Sequence, residues 1–170
     1  MKKYEFTGET KQINLLFRTA TLHRIRAVVE FGLVKIGDLG GWIEKEENLS
    51  HDGKAWVWGN AEVCGDAKVW GNAKVWGNAE VWGNAEVFSA SHVLVIGAIG
   101  SRNDFTTFFR DKDGEITVKC GCFLGKIDRF LEKVASTHGN SKYALVYRAA
   151  VEVAKLQIDL TGEAPEMDEE

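Results

Sequence analysis

The chain has 170 residues, 45% apolar and 27% charged, which suits one medium domain or two to three small ones and argues against wholesale disorder. Its formal net charge of −4 argues against a protein that coats nucleic acid by bulk charge. The longest apolar stretch, Val93 to Gly100, is far short of the roughly 20 residues that span a bilayer; Met1 to Phe6 lacks a secretory apolar core; three cysteines make no disulfide framework, so a reduced cytoplasmic setting is expected.

Residues 1–50 read as an N-terminal β cap. Thr21 to Val28 has strand character, and Gly37 to Ile43 reads as a turn leading into the next segment. Seven Lys/Arg against four Asp/Glu make residues 1–38 mildly basic.

Residues 51–100 repeat with a period of six. From Val57 the chain reads VWGNAE, VCGDAK, VWGNAK, VWGNAE, VWGNAE and VFSASH, with weaker copies at His51 to Trp56 and from Val93. Valine recurs at 57, 63, 69, 75, 81 and 87, and alanine at 61, 67, 73, 79 and 85. Gly-Asn or Gly-Asp between them is turn chemistry. Neither a 3.6-residue helical period nor strict alternation fits. A short fixed period means that each unit buries its apolar positions against its neighbours. Four basic against eight acidic residues make 39–100 acidic.

A large aliphatic followed four residues later by a small residue resembles the hexapeptide repeat of left-handed parallel β-helices. The resemblance covers about residues 51–98 and implies a triangular solenoid, three hexapeptides to an 18-residue coil. One departure is clear: Trp or Phe stands after the aliphatic where the family has a small residue. On such a coil Trp58 lies over Trp76, Trp70 over Phe88, Cys64 over Trp82, Lys68 beside Glu86 and Glu62 over Glu80. Valine and alanine fill the interior, so the rings are expected to point outward. Trp58, Trp70, Trp76, Trp82 and Phe88 are then the expected interface of a homotrimer or higher cyclic oligomer. The coils are few, and both ends need caps.

Residues 101–160 read as a small α+β unit with ten basic and eight acidic residues. Thr106 to Arg110 and Glu115 to Cys122 form a β-hairpin about Asp113-Gly114. Helices are expected from about Lys126 to Ala135 and from about Lys142 to Ile158, the second N-capped by Ser141. Residues 161–170 carry five acids and no base and read as a disordered tail. The expected fold is therefore mainly β: a short left-handed parallel β-helix with an N-terminal β cap and a small C-terminal α+β domain.

The segments GDLGGWIEKEENLSHDG and FFRDKDGEITVKCGCFLGKIDRF, on either side of the repeat, resemble hexapeptide-repeat proteins of phages and prophages. That resemblance implies an accessory protein acting inside the host cell.

Four sets of residues carry chemistry. His51 and His92 fit the general base of a hexapeptide acyltransferase, but they sit at opposite ends of the repeat and no long loop leaves a coil. Cys120-Gly121-Cys122 with His138 fits a nucleophile and its base; the Cys-x-Cys spacing does not fit zinc, and the alternation of Ile116, Val118, Cys120 and Cys122 fits core thiols. The aromatic columns fit an interface. Arg24, Arg26, Arg110, Lys119, Arg129, His138 and Lys142 fit an anion pocket between subunits, because guanidinium groups bind phosphate bidentately. The reading is a non-enzymatic binding protein without metal or cofactor. It sequesters a small anionic ligand, such as a signalling nucleotide, to antagonise host defence. A scaffold oligomer (spike, tail or protein-blocking module) and an acyltransferase are the alternatives.

Overall fold

A computed structural model describes residues 1–164. Strands β1 (Tyr4–Asn14) and β2 (Thr19–Ala27) form an antiparallel hairpin, and β3 (Leu39–Ile43) pairs antiparallel with β2. Six two-residue strands follow at six-residue spacing: β4 (Trp56–Val57), β5 (Glu62–Val63), β6 (Lys68–Val69), β7 (Lys74–Val75), β8 (Glu80–Val81) and β9 (Glu86–Val87). Then come β10 (Val93–Ile99), β11 (Asp104–Arg110), β12 (Ile116–Cys120), β13 (Phe123–Lys126), α1 (Ile127–His138) and α2 (Lys142–Gln157).

The hexad places its residues by simple chemistry. Every repeat valine and alanine is buried. The glycines between them, Gly59, Gly65, Gly71, Gly77 and Gly83, have φ of 58 to 71°, the left-handed region that other L residues enter at a cost. Each short strand pairs in parallel with the strand three hexads on: Val57 with Val75, Val63 with Val81, Val69 with Val87. Before the first hexad the register lengthens, with Ile43 opposite Val63 and Leu49 opposite Val69. Buried Asn48 fills the irregularity: its amide donates to the Gly65 and Ala67 carbonyls at 3.1 and 2.8 Å, while its oxygen accepts the Lys45 N–H at 2.9 Å.

The expectation of a mainly β chain built on a left-handed β-helix is corrected. Among the described residues the strands form several small, mixed sheets rather than a solenoid between caps. One is five-stranded, in the order β1-β2-β3-β5-β8, and joins antiparallel and parallel pairs. A second is antiparallel and four-stranded, β10-β11-β12-β13; the ladders β4-β7 and β6-β9 are separate. The physical reason is that a two-residue strand makes few ladder bonds. Where a longer, non-repeating strand pairs with one, as β3 does with β5, it sets the sheet type; β4-β7 and β6-β9 stay two-stranded.

Three local expectations also change. Val93 onward is not a decayed hexad: β10 pairs antiparallel with β11, Val93 opposite Phe109. Residues 37–43 are not only a turn, because 39–43 form β3. The hairpin about Asp113-Gly114 exists, Arg110 opposite Ile116, but it is the centre of the four-stranded sheet. Both expected helices are present, α1 running to His138. Ser141 occupies the N-cap position of α2 without a side-chain capping bond.

The repeat and the C-terminal sheet are joined through β11. Phe109 packs into the Val/Ala core, the Thr107 hydroxyl accepts the Glu80 N–H at 3.0 Å, and Ala85 bridges Asp111. Apolar faces of α1 and α2, including Phe130, Val134, Tyr147 and Val151, cover the other side of that sheet with Phe108 and Val118. No helix among the described residues is long and apolar enough to cross a membrane.

Candidate functional site

The aromatic columns stack at the 18-residue spacing. Trp58 and Trp76 lie 4.8 Å apart and nearly parallel, at 8°; Trp70 and Phe88 lie 4.9 Å apart, tilted by 38°. The rings do not share one open face within the chain. Trp70 and Trp82 are only 6% and 9% exposed, whereas Trp76 is 48% exposed. Leu22 of the β1–β2 hairpin covers Cys64 and Trp82, with Ile13 and Leu15 beside them. The Lys119 ammonium sits 4.2 Å from the Trp82 ring and the Arg110 guanidinium 4.9 Å from the Phe88 ring. The rings leave the interior as expected, but this chain's own flanks cover Trp82 and Phe88.

The seven basic positions do not converge within the chain. Arg24 lies 3.6 Å from Glu9 and over the Trp42 ring, and Arg26 forks onto the Glu5 carboxylate. Arg110 donates to the Thr161 and Gly162 carbonyls at 3.0 and 3.1 Å, so the start of the expected disordered tail is held against β11; residues 165–170 of that tail lie outside the described residues. Lys119 is buried, bonded to the Glu80 carboxylate at 3.0 Å and to the Gly121 carbonyl. Arg129 faces Glu132 on the exposed side of α1, and Lys142 is exposed at the start of α2. Within one chain the set therefore forms no common pocket: local carboxylates and carbonyls engage most of its members. His138 is the one that lines a cavity.

That cavity, about 190 Å³, lies between the four-stranded sheet and the helices. His138 ends α1, stacked on Tyr147 of α2 with centroids 5.7 Å apart. Lys133 and Thr137 come from the same face of α1, and Arg102 from the turn before β11. Phe105, Phe123 and Phe130 supply ring walls, and Cys120 and Cys122 line the side formed by the β12–β13 turn. Tyr147 approaches the backbone closely because residue 100 is glycine: a Cβ there would lie 1.8 Å from the phenol oxygen. Burial first, and then Cys120, push the Tyr147 hydroxyl up to about 12, so it is a neutral donor at physiological pH.

Arg102 and Lys133 were missed in the sequence. The helical spacing Phe130, Val134, Thr137 and His138 was enough to put Lys133 on that face. Arg102 carried no local signal, because it reaches the cavity through the turn between β10 and β11. A neighbouring cavity of about 370 Å³, beyond Asp104 and Phe105, is lined by Glu62, Glu80, Asn60, Asn78 and Lys11. The opposed Glu62 and Glu80 each have their own lysine, Lys11 at 2.7 Å and Lys119 at 3.0 Å. Among the described residues, no three His, Cys, Asp or Glu side chains gather closely enough to hold a metal ion.

His51 and His92 serve the two ends of the repeat. Each Nδ1 accepts a backbone N–H at 3.2 Å, from Lys3 and Phe88 respectively. Burial first holds both imidazoles below their ordinary range; Lys2 and Lys3 add to this at His51 against Glu46, and Arg110 adds to it at His92 against Asp159. Their folded values lie below the unfolded value near about 6.5, so the unfolded chain binds more protons in that window. Stability is expected to be full above about pH 6.5 and to be lost as pH falls through the lowered values. Urea midpoints at neutral and mildly acidic pH check this. The acid-side fall should shrink in His92→Asn, which keeps the acceptor and cannot titrate. A midpoint independent of pH in the parent chain would refute it.

No protein-family model matches the chain, and no curated protein matches it.

Proposed function

We propose that the chain is a non-enzymatic binding protein that takes a small anionic, ring-bearing ligand, such as a nucleotide, into the cavity beside His138. One observation carries the reading. Arg102, Lys133 and His138 meet at an aromatic-walled cavity, and among the described residues none of the three is ion-paired with a carboxylate. Arginine and lysine suit a phosphate or carboxylate group, and the phenylalanine rings suit a planar group beside it. The volume, about 190 Å³, is below the roughly 300 Å³ at which whole drug-sized ligands are enclosed, so the cavity takes the charged end of a ligand and part of its ring. Asp104 lines this cavity and the adjoining one, so the anionic group is expected on the Arg102 and Lys133 side, away from that carboxylate. The resemblance to phage hexapeptide-repeat proteins fits a protein that holds a host metabolite without turning it over.

Isothermal titration calorimetry with adenosine monophosphate, adenosine and inorganic phosphate tests the reading. The monophosphate is expected to bind and adenosine to bind far more weakly. Arg102→Ala and Lys133→Ala should each weaken monophosphate binding by about tenfold or more, the loss of one charge-assisted hydrogen bond. Lys2→Ala, which removes an exposed cation paired with Glu46 and outside the cavity lining, should leave it unchanged. Equal binding of adenosine and its monophosphate, or wild-type affinity in both cavity variants, would overturn it.

A further inference from the structure

The cavity carries a second chemistry that anion binding does not use. Cys120 ends β12, Cys122 stands in the two-residue turn before β13, and Cys120 is the closing partner of Phe123. Both cysteines line the cavity. Gly121 between them has φ +55°, and a Cβ on it would lie 3.0 Å from Arg102 Nη1, so the guanidinium rests over the turn that joins the two thiols. The two sulfurs differ in access. Cys122 is exposed, whereas Cys120 is half-buried and accepts the Thr106 hydroxyl at 3.4 Å. The third cysteine, Cys64, is buried against Trp82 and Leu22, and burial above all pushes its thiol up to about 12.

We infer that Cys122 and Cys120 form a thiol–disulfide exchange site for an anionic low-molecular-weight disulfide, with Cys122 as the attacking thiol and Cys120 as the resolving one. The selectivity for an anion rests on the binding reading above; the exchange chemistry does not. Cys122 Sγ attacks one sulfur of the external disulfide, whose S–S bond breaks, and one half leaves as a thiol with the proton that Cys122 gives up. Cys120 Sγ then attacks Cys122 Sγ, releasing the second half with the Cys120 proton and closing a Cys120–Cys122 disulfide. Two electrons pass from the two protein thiols to the external disulfide, which is reduced to two thiols. Arg102 and Lys133 draw the anionic reagent to the turn and hold it there. Cys64 has no access and takes no part.

Intact-mass spectrometry of the full chain tests this, with glutathione disulfide as the anionic probe and cystamine as the cationic one. The wild-type chain is expected to lose two hydrogens through a Cys120–Cys122 disulfide without accumulating an adduct. Cys120→Ser is expected to trap one glutathione, mapped by peptide cleavage to Cys122. Glutathione disulfide should react at least about tenfold faster than cystamine, and Arg102→Ala should remove that preference. An adduct mapped to Cys64, no adduct in Cys120→Ser, or a stable mixed disulfide in the wild type would overturn the exchange site. Adenosine monophosphate titrated into the Cys120→Ser/Cys122→Ser double variant separates the two readings. Retained binding with no exchange in the parent chain removes the thiol inference alone. Exchange at equal rates with both probes removes the anion selectivity and leaves the thiol pair.

Discussion

Trp56→Ala is expected to lower stability by about 3–5 kcal/mol, the range for removing a large aromatic from a packed core. Trp56 stands at the hexad position that holds Lys or Glu in the five units from Val57 to Glu86, and its parallel partner is Lys74. It is nevertheless buried. Phe31 meets it edge-on at 5.3 Å and Tyr4 at 6.2 Å. Gly40 lies so close that a Cβ there would come 2.7 Å from the Trp56 ring and 2.6 Å from Ile25. The ring therefore closes the N-terminal end of the Val/Ala core, where no further hexad stacks. Truncation leaves a cavity walled by backbone and by rings from three separate segments, which limits collapse. Restoring the repeat's own residue is no remedy: Trp56→Lys places an ammonium where an indole was buried, and it is expected to be at least as destabilising as Trp56→Ala. Urea unfolding measures both. A loss under about 1 kcal/mol for Trp56→Ala would mean that this end of the core is not packed as described.

Asp111→Ala is expected to cost about 3 kcal/mol, through a different mechanism. Asp111 follows β11 and is buried, yet its carboxylate is fully engaged. Oδ2 accepts from Thr117 Oγ1 at 2.7 Å and Lys126 Nζ at 2.6 Å; Oδ1 accepts the Asp113 and Glu115 N–H groups at 2.9 and 3.2 Å. Burial alone would raise this carboxyl, but Lys126, Thr117 and the two amides outweigh it and hold it below the usual range. Its contribution is therefore present above the unfolded value near about 3.9 and is lost as pH falls through the lowered one. The Lys126 side chain is 36% exposed and can rehydrate, which keeps the expected loss at the lower end for a broken buried pair. The residue is also a joint: Asp111 bridges Ala85, and the next N–H, of Lys112, donates to the Asn84 carbonyl at 3.0 Å. Asp111→Asn keeps the shape and two acceptor positions and should recover part of the loss. Equal denaturation midpoints for Asp111→Ala and the parent chain would show that the cluster contributes no net stability.

Much of the repeat was legible in the residues because its rule is local. Six-residue spacing put valine and alanine inside and glycine in the turns, which needs only one unit and its neighbour, while the resemblance to hexapeptide repeats implied the rings' 18-residue stacking. The helices and the Asp113-Gly114 turn were legible for the same reason, from periodicity and turn chemistry. The sheets were not. Whether Val93 to Ile99 continues the hexads or pairs with β11 depends on a partner that the segment itself does not encode, and apolar runs fit either. Nor does an outward ring become an exposed one by its direction alone. Trp82 is buried by a hairpin some sixty residues earlier, and Lys119 and Arg110 are occupied by a ring, a carboxylate or carbonyls brought in by folding.

The period, the interior of the repeat and the positions of the two helices can be read from the residues alone, because each is set by contacts within a few residues or between hexads. Which strands share a sheet, which tryptophans stay in water, and the meeting of Arg102, Lys133, His138 and the two cysteines at one cavity follow from the folded chain. Those are long-range pairings: each is selected by the free energy of closing apolar faces and satisfying buried polar groups across the whole chain, and no single segment carries that information.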